Sequence, residues 1–282
     1  MPDRAPLHPP QFGVRVGVFD SGVGGLSILR ALRAHLPHAA LLYVADSANA
    51  PYGEKSEDFI IGRSLHIAAF LVSQGAQVLV VACNTATAAA VHALRQAHPH
   101  LPIVGIEPGV KPAVAASRLK KVGVMATPGT LASAKFARLV AAHEADAEIV
   151  LQPCPGLAAA IETGDLDSPT VRELVTTFTR PLKAAGVDTV VLGCTHYPFV
   201  APLIVAEMGE GVQLVDTAEA VARHTTRLVQ RVIKADDADD TLVASTGSEA
   251  DVSLWTSASP AALGDIVHRW LGIGARAAAL PS

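Results

Sequence analysis

Two cysteines lie in matching sequence contexts, Cys83 in QVLVVACNTAT and Cys194 in DTVVLGCTHYP. Each follows a short aliphatic run that is typical of a buried strand, so each thiol is predicted to lie where a strand ends and a helix begins. A free thiol has a pKa of about 8.5 and can serve as a base or as an acid near neutral pH. Two thiols on opposite sides of one carbon would remove a proton from one face and return one to the other, which inverts a stereocentre.

A repeated strand supports the pairing of the two thiols. The segment VGVFDSGVGG begins at Val16 and VGVMATPGT begins at Val122, an offset of 106 residues, and the two cysteines are 111 residues apart. Nearly equal offsets indicate an internal duplication of one α/β unit, far longer than a solenoid repeat. The alternative is that V-G-V strands recur by chance in an α/β protein. Under the duplication, two halves that face each other across a pseudo-two-fold axis each offer one thiol to the same cleft.

The segment DSGVGG follows the first predicted strand. It fails the dinucleotide fingerprint because Ser27 replaces the third glycine, and we interpret its glycines as a tight turn that needs positive φ. Its first two residues, Asp20 and Ser21, are candidates for the cleft beside Cys83, since an aspartate at this strand end has little structural reason to exist. Backbone N–H groups of such a loop can also hold a carboxylate.

Each thiol needs a neighbouring acid or base to tune it. Asp20 is the candidate beside Cys83, where it would accept the thiol proton or bind a substrate ammonium. His196 is the candidate beside Cys194, because imidazole titrates near neutral pH. The two-residue step from Cys194 to His196, without a second ligand pair, does not match a zinc pattern, so no metal site is expected. The third cysteine, Cys154, has a proline on each side and no neighbouring acid or base, and we interpret it as structural.

Predicted strands and helices alternate along the chain. Strands are predicted near residues 14–19, 41–45, 78–82, 122–126, 148–152 and 189–192, and helices near residues 26–36, 56–74 and 84–97. This alternation predicts an α/β fold of two similar domains, each with a mostly parallel sheet and right-handed crossovers. The domains would be related by pseudo-two-fold symmetry, with the active site in the cleft between them.

The predicted domain boundaries follow from the same pattern. Residues 1–13 are a disordered lead-in, residues 14–106 together with 216–282 form the first α/β domain, and residues 107–215 form the second. The crossover is placed in the proline-rich segment GIEPGVKP. The tail should contain a long helix, an acidic loop at 236–240, one strand and a last helix. It is too short to be a comfortable domain alone, so we expect it to pack on the first unit.

Composition excludes several classes of protein. The formal net charge of −4 and the absence of a basic cluster argue against nucleic acid as a partner. The sequence has no stretch of 18 or more apolar residues, so no membrane-spanning helix is expected, and the first residues lack the apolar region of a secretory signal. Three cysteines without a disulfide framework fit a reducing compartment, and we expect a cytoplasmic protein.

Four segments, in this order and spacing, give the chain a family resemblance: FDSGVGGLSIL, YVADSANAPYG, VVACNTAT and VLGCTHYP. From about residue 15 to residue 230 the chain resembles the glutamate racemase family of bacterial cell-wall synthesis. The resemblance implies two α/β domains with pseudo-two-fold symmetry and no pyridoxal phosphate, metal or other cofactor. It implies a two-base interconversion of L- and D-glutamate that supplies D-glutamate for peptidoglycan.

The resemblance also implies roles for individual residues. Cys83 would abstract the proton of D-glutamate and Cys194 that of L-glutamate. Asp20, His196 and Glu162 would assist catalysis, with Asp46 as a further supporting acid. Substrate contacts are implied for Asp20, Ser21, Asp46, Pro51, Tyr52, Gly53, Asn84, Thr85, Thr195 and His196. The segment CPGLAAAIETGDL around Glu162 matches the family pattern only loosely, and the tail after about residue 240 departs from that pattern.

Two alternatives stay open at this point. A racemase for aspartate or a related amino acid on the same fold would look similar around the cysteines, but His196 stands where aspartate racemases tend to carry an acid, which favours glutamate. The second alternative is a regulatory protein that kept the fold and lost the chemistry. Both cysteines and their partners are intact, although a second role beside catalysis stays compatible with the sequence. The expected partners are glutamate as substrate and a second copy in a homodimer, with no nucleic acid and no membrane.

Overall fold

The structure is a computed structural model that describes residues 13–236 and 251–281. The predicted lead-in, apart from residue 13, and the predicted acidic loop beyond residue 236 lie outside the described residues. Among the helices that are described, none is both long enough and apolar enough to cross a membrane.

The first part of the chain alternates strands and helices as predicted. Strands β1 to β4 span Arg15–Asp20, Ala40–Ala45, Val78–Val81 and Ile103–Gly105, and helices α1 to α4 span Leu26–His35, Glu57–Ser73, Asn84–Ala97 and Val110–Ala116. Two 3-10 turns, Ser47–Asn49 and Tyr52–Glu54, connect β2 to α2. The predicted start of α2 is confirmed, because the Ser56 hydroxyl accepts a hydrogen bond from the Phe59 N–H.

The second part repeats the pattern. Strands β5 to β8 span Lys121–Ala126, Glu148–Pro153, Thr189–Leu192 and Gln213–Val215, and helices α5 to α9 span Pro128–Ala132, Ala134–Ala141, Leu157–Glu162, Pro169–Ala184 and Ala201–Met208. A 3-10 turn, Tyr197–Val200, precedes α9. The six strands predicted with bounds, and the three helices predicted with bounds in the first part, are thus confirmed to within one or two residues at each end.

The tail contributes to the first sheet. Helix α10 spans Ala218–Asp236 and packs on α1, and it is followed by β9 at Val252–Thr256, α11 at Pro260–Leu271 and β10 at Ala277–Ala279. Strand β9 pairs with β2, so the tail packs on the first unit as expected. The prediction of a single tail strand was wrong. Strand β10 consists of three alanines. It has no β-branched residues and no alternating pattern from which a strand could be predicted.

The two sheets have the same internal order. The first sheet runs β10-β9-β2-β1-β3-β4 and the second runs β6-β5-β7-β8, and every pair is parallel. Strands β2-β1-β3-β4 therefore correspond to β6-β5-β7-β8, and the pairing registers agree: Arg15 is opposite Ala40 as Lys121 is opposite Glu148. The predicted fold of two similar parallel α/β units is confirmed. The exact domain boundaries stay a prediction.

The central strands explain the aliphatic runs seen in the sequence. Strands β3 and β7 are buried along their whole length, because helices cover both faces of each sheet, which is typical of parallel sheets. The residues that follow the carboxyl ends of β1, β3, β5 and β7 lie against the space between the two units, which we call the cleft. Side chains that follow those strand ends are therefore brought together.

Candidate active site

The cysteines Cys83 and Cys194 lie at equivalent places, two residues beyond the ends of β3 and β7. Ala82 and Gly193, the residues before them, each donate a backbone N–H to the neighbouring central strand, at 2.7 and 2.8 Å. Both thiols are buried and line one narrow cavity in the cleft. The structure thus brings together the two residues whose sequence contexts match.

The backbone after the two thiols differs. Cys83 caps α3, and its sulfur accepts the N–H of Ala86 at 3.4 Å. After Cys194 a 3-10 turn, Tyr197–Val200, takes the place of the predicted helix, so that part of the prediction was wrong. The reason is Pro198, which has no N–H to donate to the Cys194 carbonyl in the first turn of an α-helix.

Cys194 begins a chain of three polar side chains. Its Sγ lies 3.6 Å from Nδ1 of His196, and Nε2 of His196 lies 2.7 Å from Oε2 of Glu162. Glu162 ends α7 in the second unit but accepts hydrogen bonds from the first unit, from Ser47 Oγ at 2.6 Å and from the Val23 N–H at 2.9 Å. The thiol, imidazole and carboxylate are therefore linked, and their last member is held from across the cleft.

The pKa shifts along this chain favour charged groups. Burial acts to lower the pKa of His196, but its hydrogen bonds to Cys194 and Glu162 raise it well above the ordinary value. Burial acts to raise the pKa of Glu162, but the hydrogen bond from His196 and those from the first unit lower it. The pair is an imidazolium and a carboxylate at neutral pH.

The other thiol has different neighbours. Cys83 Sγ lies 3.7 Å from Ser21 Oγ, which lies 3.4 Å from Oδ1 of Asp20. Asp20 is completely buried and accepts the Gly25 N–H at 2.7 Å. Burial is the main cause that raises the pKa of Asp20 to about 6. Burial, followed by the charge of Asp20, raises the pKa of Cys83 well above its ordinary value, so Cys83 is a protonated thiol at neutral pH.

The glycines of DSGVGG serve close packing. None of the three has positive φ, so the interpretation as a turn that needs positive φ was wrong. A Cβ atom on Gly22 would overlap the carboxylate of Glu162, and one on Gly24 would overlap the imidazole of His196. A Cβ atom on Gly25 would overlap the side chain of Asp20. These positions need glycine because the loop lies directly against the polar groups behind both thiols.

Most of the other predicted site residues surround the same cavity. Those that line it are Ser21, Pro51, Tyr52, Gly53, Asn84, Thr85, Thr195 and His196. Asp20, Asp46 and Glu162 lie behind this lining. Asp46 is buried and is held by Arg63 at 2.7 and 3.0 Å and by the Tyr52 hydroxyl at 2.5 Å. Its carboxylate therefore supports the loop that carries Tyr52.

Two hydroxyl residues of the cavity lining were missed from sequence. Thr127 and Thr130 belong to the second unit, and their Oγ1 atoms lie 3.1 and 3.2 Å from Oγ1 of Thr85 in the first unit. The repeat could have identified Thr127, because it lies 106 residues after Ser21 and is the equivalent of Ser21 in the second unit. The duplication thus predicts a hydroxyl at both strand ends.

One polar atom of the lining has no partner. Oδ1 of Asn84 is buried and accepts no hydrogen bond from any described residue. Burial of an unpaired carbonyl oxygen is unfavourable. Asn84 also lines the cavity between the thiols, which makes it a candidate acceptor for a donor group of a bound molecule.

Comparisons with known proteins agree with this geometry. The sequence model described as Asp/Glu/Hydantoin racemase matches residues 26–225. The chain is 51% identical over 252 residues to a glutamate racemase of Pseudomonas putida (strain GB-1), which covers 89% of this chain and 92% of that one.

Solved structures give the same result. A glutamate racemase isoform of Bacillus anthracis superposes with a TM-score of 0.81 at 31% identity, over 95% of this chain and 97% of that one. The Escherichia coli glutamate racemase in complex with L-glutamate and the activator UDP-MurNAc-ala superposes with a TM-score of 0.79 at 30% identity, over 94% and 97% of the two chains. The resemblance seen in the sequence is thereby confirmed: the chain belongs to the Asp/Glu/Hydantoin racemase family, as an isomerase of the glutamate racemase group.

Proposed function

We propose that the protein interconverts L- and D-glutamate by moving protons between the α-carbon and two thiols, those of Cys83 and Cys194, without a cofactor. The observation that carries the proposal is the equivalent placement of the two thiols at one cavity, each with its own polar groups behind it. Relatives and structural neighbours named glutamate racemase support glutamate as the substrate.

The proposed reaction has two proton transfers. The Cys194 thiolate takes the α-proton of L-glutamate, so an S–H bond forms as the C–H bond breaks. The resulting carbanion takes the proton of the Cys83 thiol on its opposite face, which leaves D-glutamate and a Cys83 thiolate. The reverse direction exchanges the two roles. The His196 imidazolium, whose Nδ1 lies 3.6 Å from Cys194 Sγ, can donate a hydrogen bond to that sulfur, and the raised pKa of Cys83 keeps the proton of its thiol available.

The lining residues suggest how glutamate is held. The Asn84 Oδ1 atom, which has no partner among the described residues, would accept a hydrogen bond from the substrate ammonium. The hydroxyl groups of Ser21, Thr85 and Thr195 and the N-terminus of α3 would bind carboxylate oxygens. In this proposal Asp20 acts on Cys83 through Ser21 and does not contact the substrate, since it lies behind the cavity lining.

The proposal extends to the place of the enzyme in the cell. D-glutamate produced in the cytoplasm would supply peptidoglycan synthesis, and the protein would act as a homodimer. Light scattering coupled to size-exclusion chromatography tests the dimer, with a mass of 29.1 kDa expected for a single chain.

One assay tests the reaction itself. Purified protein that has been dialysed against a chelator is incubated with L-glutamate, D-glutamate, L-aspartate and D-aspartate, and circular dichroism follows each sample. We expect both glutamate enantiomers to converge on the racemate and the aspartates to stay nearly unchanged. Faster racemisation of aspartate would support the alternative substrate. Activity that disappears on chelation and returns with a divalent metal would overturn the two-thiol mechanism.

A further inference from the structure

A hydroxyl from the first unit fixes the carboxylate behind Cys194. Ser47 begins the 3-10 turn after β2, and its Oγ donates to Oε1 of Glu162 at 2.6 Å. The other carboxylate oxygen, Oε2, accepts a hydrogen bond from His196 Nε2 at 2.7 Å. The Val23 N–H lies 3.1 and 2.9 Å from the two oxygens. Ser47 therefore holds the oxygen that His196 does not use, and it sets the rotation of the carboxylate toward the imidazole.

The hydroxyl is not needed for the local backbone. The turn is closed by backbone hydrogen bonds, from the Asn49 N–H to the Asp46 carbonyl at 2.9 Å and from the Ala50 N–H to the Ser47 carbonyl at 3.4 Å. The Ser47 side chain is only half-buried. Removal of its hydroxyl thus leaves the turn with its own bonds and takes away a contact that reaches across the cleft.

The contact between Ser47 and Glu162 lies on the Cys194 side of the cavity, and the repeat has no equivalent of it beside Cys83. Strands β2 and β6 are offset by 108 residues, so the repeat equivalent of Ser47 is Pro155, which has no hydroxyl. The Asp20 carboxylate behind Cys83 is fixed within its own unit by the Gly25 N–H at 2.7 Å. Loss of the Ser47 hydroxyl should therefore affect proton transfer at Cys194 and leave transfer at Cys83 nearly unchanged.

We propose that Ser47 is a positioning residue for catalysis, which orients Glu162 and through it the His196 imidazole beside Cys194. This inference rests on the proposed two-thiol racemisation. It links the alignment of one thiol to the contact between the two units, because the donor and the carboxylate belong to different units.

A half-reaction isolates each thiol. With 3-chloroglutamate, one thiolate takes the α-proton while the C–Cl electron pair leaves with chloride, and the enamine that forms tautomerises and is hydrolysed to 2-oxoglutarate and ammonia. No proton is returned to the α-carbon by the enzyme, so each configuration at that carbon reports on one thiol.

The variants are Ser47→Ala, which removes the hydroxyl, Ser47→Thr, which keeps it, and the control Thr163→Ala. Thr163 follows Glu162 in the chain, but its hydroxyl donates a hydrogen bond to the Ala160 carbonyl at 2.8 Å and not to Glu162.

We expect Ser47→Ala to slow elimination from the configuration served by Cys194 about tenfold. General acid–base assistance accelerates a reaction about 10²- to 10⁴-fold, and a misaligned His196 should lose only part of that acceleration. The other configuration should change by less than about threefold, KM should stay within about twofold, and Ser47→Thr should restore most of the rate. Thermal unfolding of each variant checks that it is folded.

The outcomes separate the two proposals. Wild-type protein that neither racemises glutamate nor eliminates chloride would refute the proposed function. Active wild-type protein with a Ser47→Ala variant that matches Thr163→Ala, or that loses both configurations equally, would refute the role of Ser47 alone.

Discussion

His196 Nε2 lies 2.7 Å from Glu162 Oε2, although 34 residues separate the two along the chain. This contact gives Cys194 an imidazolium neighbour, whereas Cys83 has a hydroxyl and a buried carboxyl behind it. The two halves of the fold are alike, but the two thiols are tuned by different chemistry.

The first prediction concerns the asymmetry between the two sides. His196→Asn should slow chloride elimination from the 3-chloroglutamate configuration served by Cys194, and Asp20→Asn should slow elimination from the other one. Each effect should be about 10²-fold, at the low end of general acid–base assistance. Because the equilibrium between enantiomers cannot move, kcat/KM for racemisation should fall equally in both directions. Equal losses for both configurations in both variants would contradict the assignment of each residue to one thiol.

The second prediction concerns the glycine loop. Gly24→Ala places a methyl group where the imidazole of His196 lies, so the ring must move away from Cys194, and we expect kcat to fall by about 10²-fold. The matched control is Gly62→Ala. Gly62 lies within α2, and a Cβ atom added there would have open space around it. The control should keep its activity and gain up to about 1 kcal/mol in free energy of unfolding, because alanine favours a helix. An active Gly24→Ala variant would contradict the packing argument.

The third prediction concerns pH. Burial raises the pKa of Asp20 from 3.8 to about 6, so the folded state keeps a proton that the unfolded state has already released. The contribution of Asp20 to stability is therefore fully present below about pH 3 and is lost as the pH rises through 6 to about 7. Asp20→Asn removes this loss. Its free energy of unfolding relative to wild type should rise by about 3 kcal/mol across that range. Urea unfolding at several pH values measures the difference, and a difference that does not change with pH would contradict a raised pKa.

The fourth prediction concerns Asn84. Its buried Oδ1 has no partner among the described residues, so the side chain is expected to serve a bound molecule at some cost to the fold. Asn84→Ala should raise the KM for glutamate at least tenfold, since a hydrogen bond to a charged group contributes about 1.5–3 kcal/mol. The free energy of unfolding should change by less than about 1 kcal/mol. A variant with unchanged KM and clearly reduced stability would make Asn84 a structural residue.

Much of the fold could be predicted from local sequence. Runs such as QVLVVA before Cys83 identify buried parallel strands, because both faces of those strands are covered. The spacing of the two cysteines and of the V-G-V segments indicates the repeat, since equivalent strands keep nearly constant offsets. The same repeat predicts Thr127 from Ser21, and Pro198 shows why no α-helix begins directly after Cys194.

Contacts between the units could not be predicted in this way. The packing of Gly24 against His196 and the bond from Ser47 to Glu162 join residues far apart in sequence, and no local pattern indicates them. Composition also gives no signal for the short alanine strand β10, which forms only because β9 offers an edge for pairing.

The central claim, that each thiol serves one face of the α-carbon, is tested most directly by Cys83→Ser and Cys194→Ser with the two configurations of 3-chloroglutamate. The control is Cys154→Ser. The Cys154 sulfur is buried in the core, and its thiol donates a hydrogen bond to the Gln152 carbonyl at 3.3 Å. We predict that both active-site variants lose glutamate racemisation by at least about 10²-fold. Each should keep elimination from one configuration, opposite for the two variants, while Cys154→Ser does both. Near-normal racemisation by Cys194→Ser, or elimination from the same configuration by both variants, would contradict the two-thiol account.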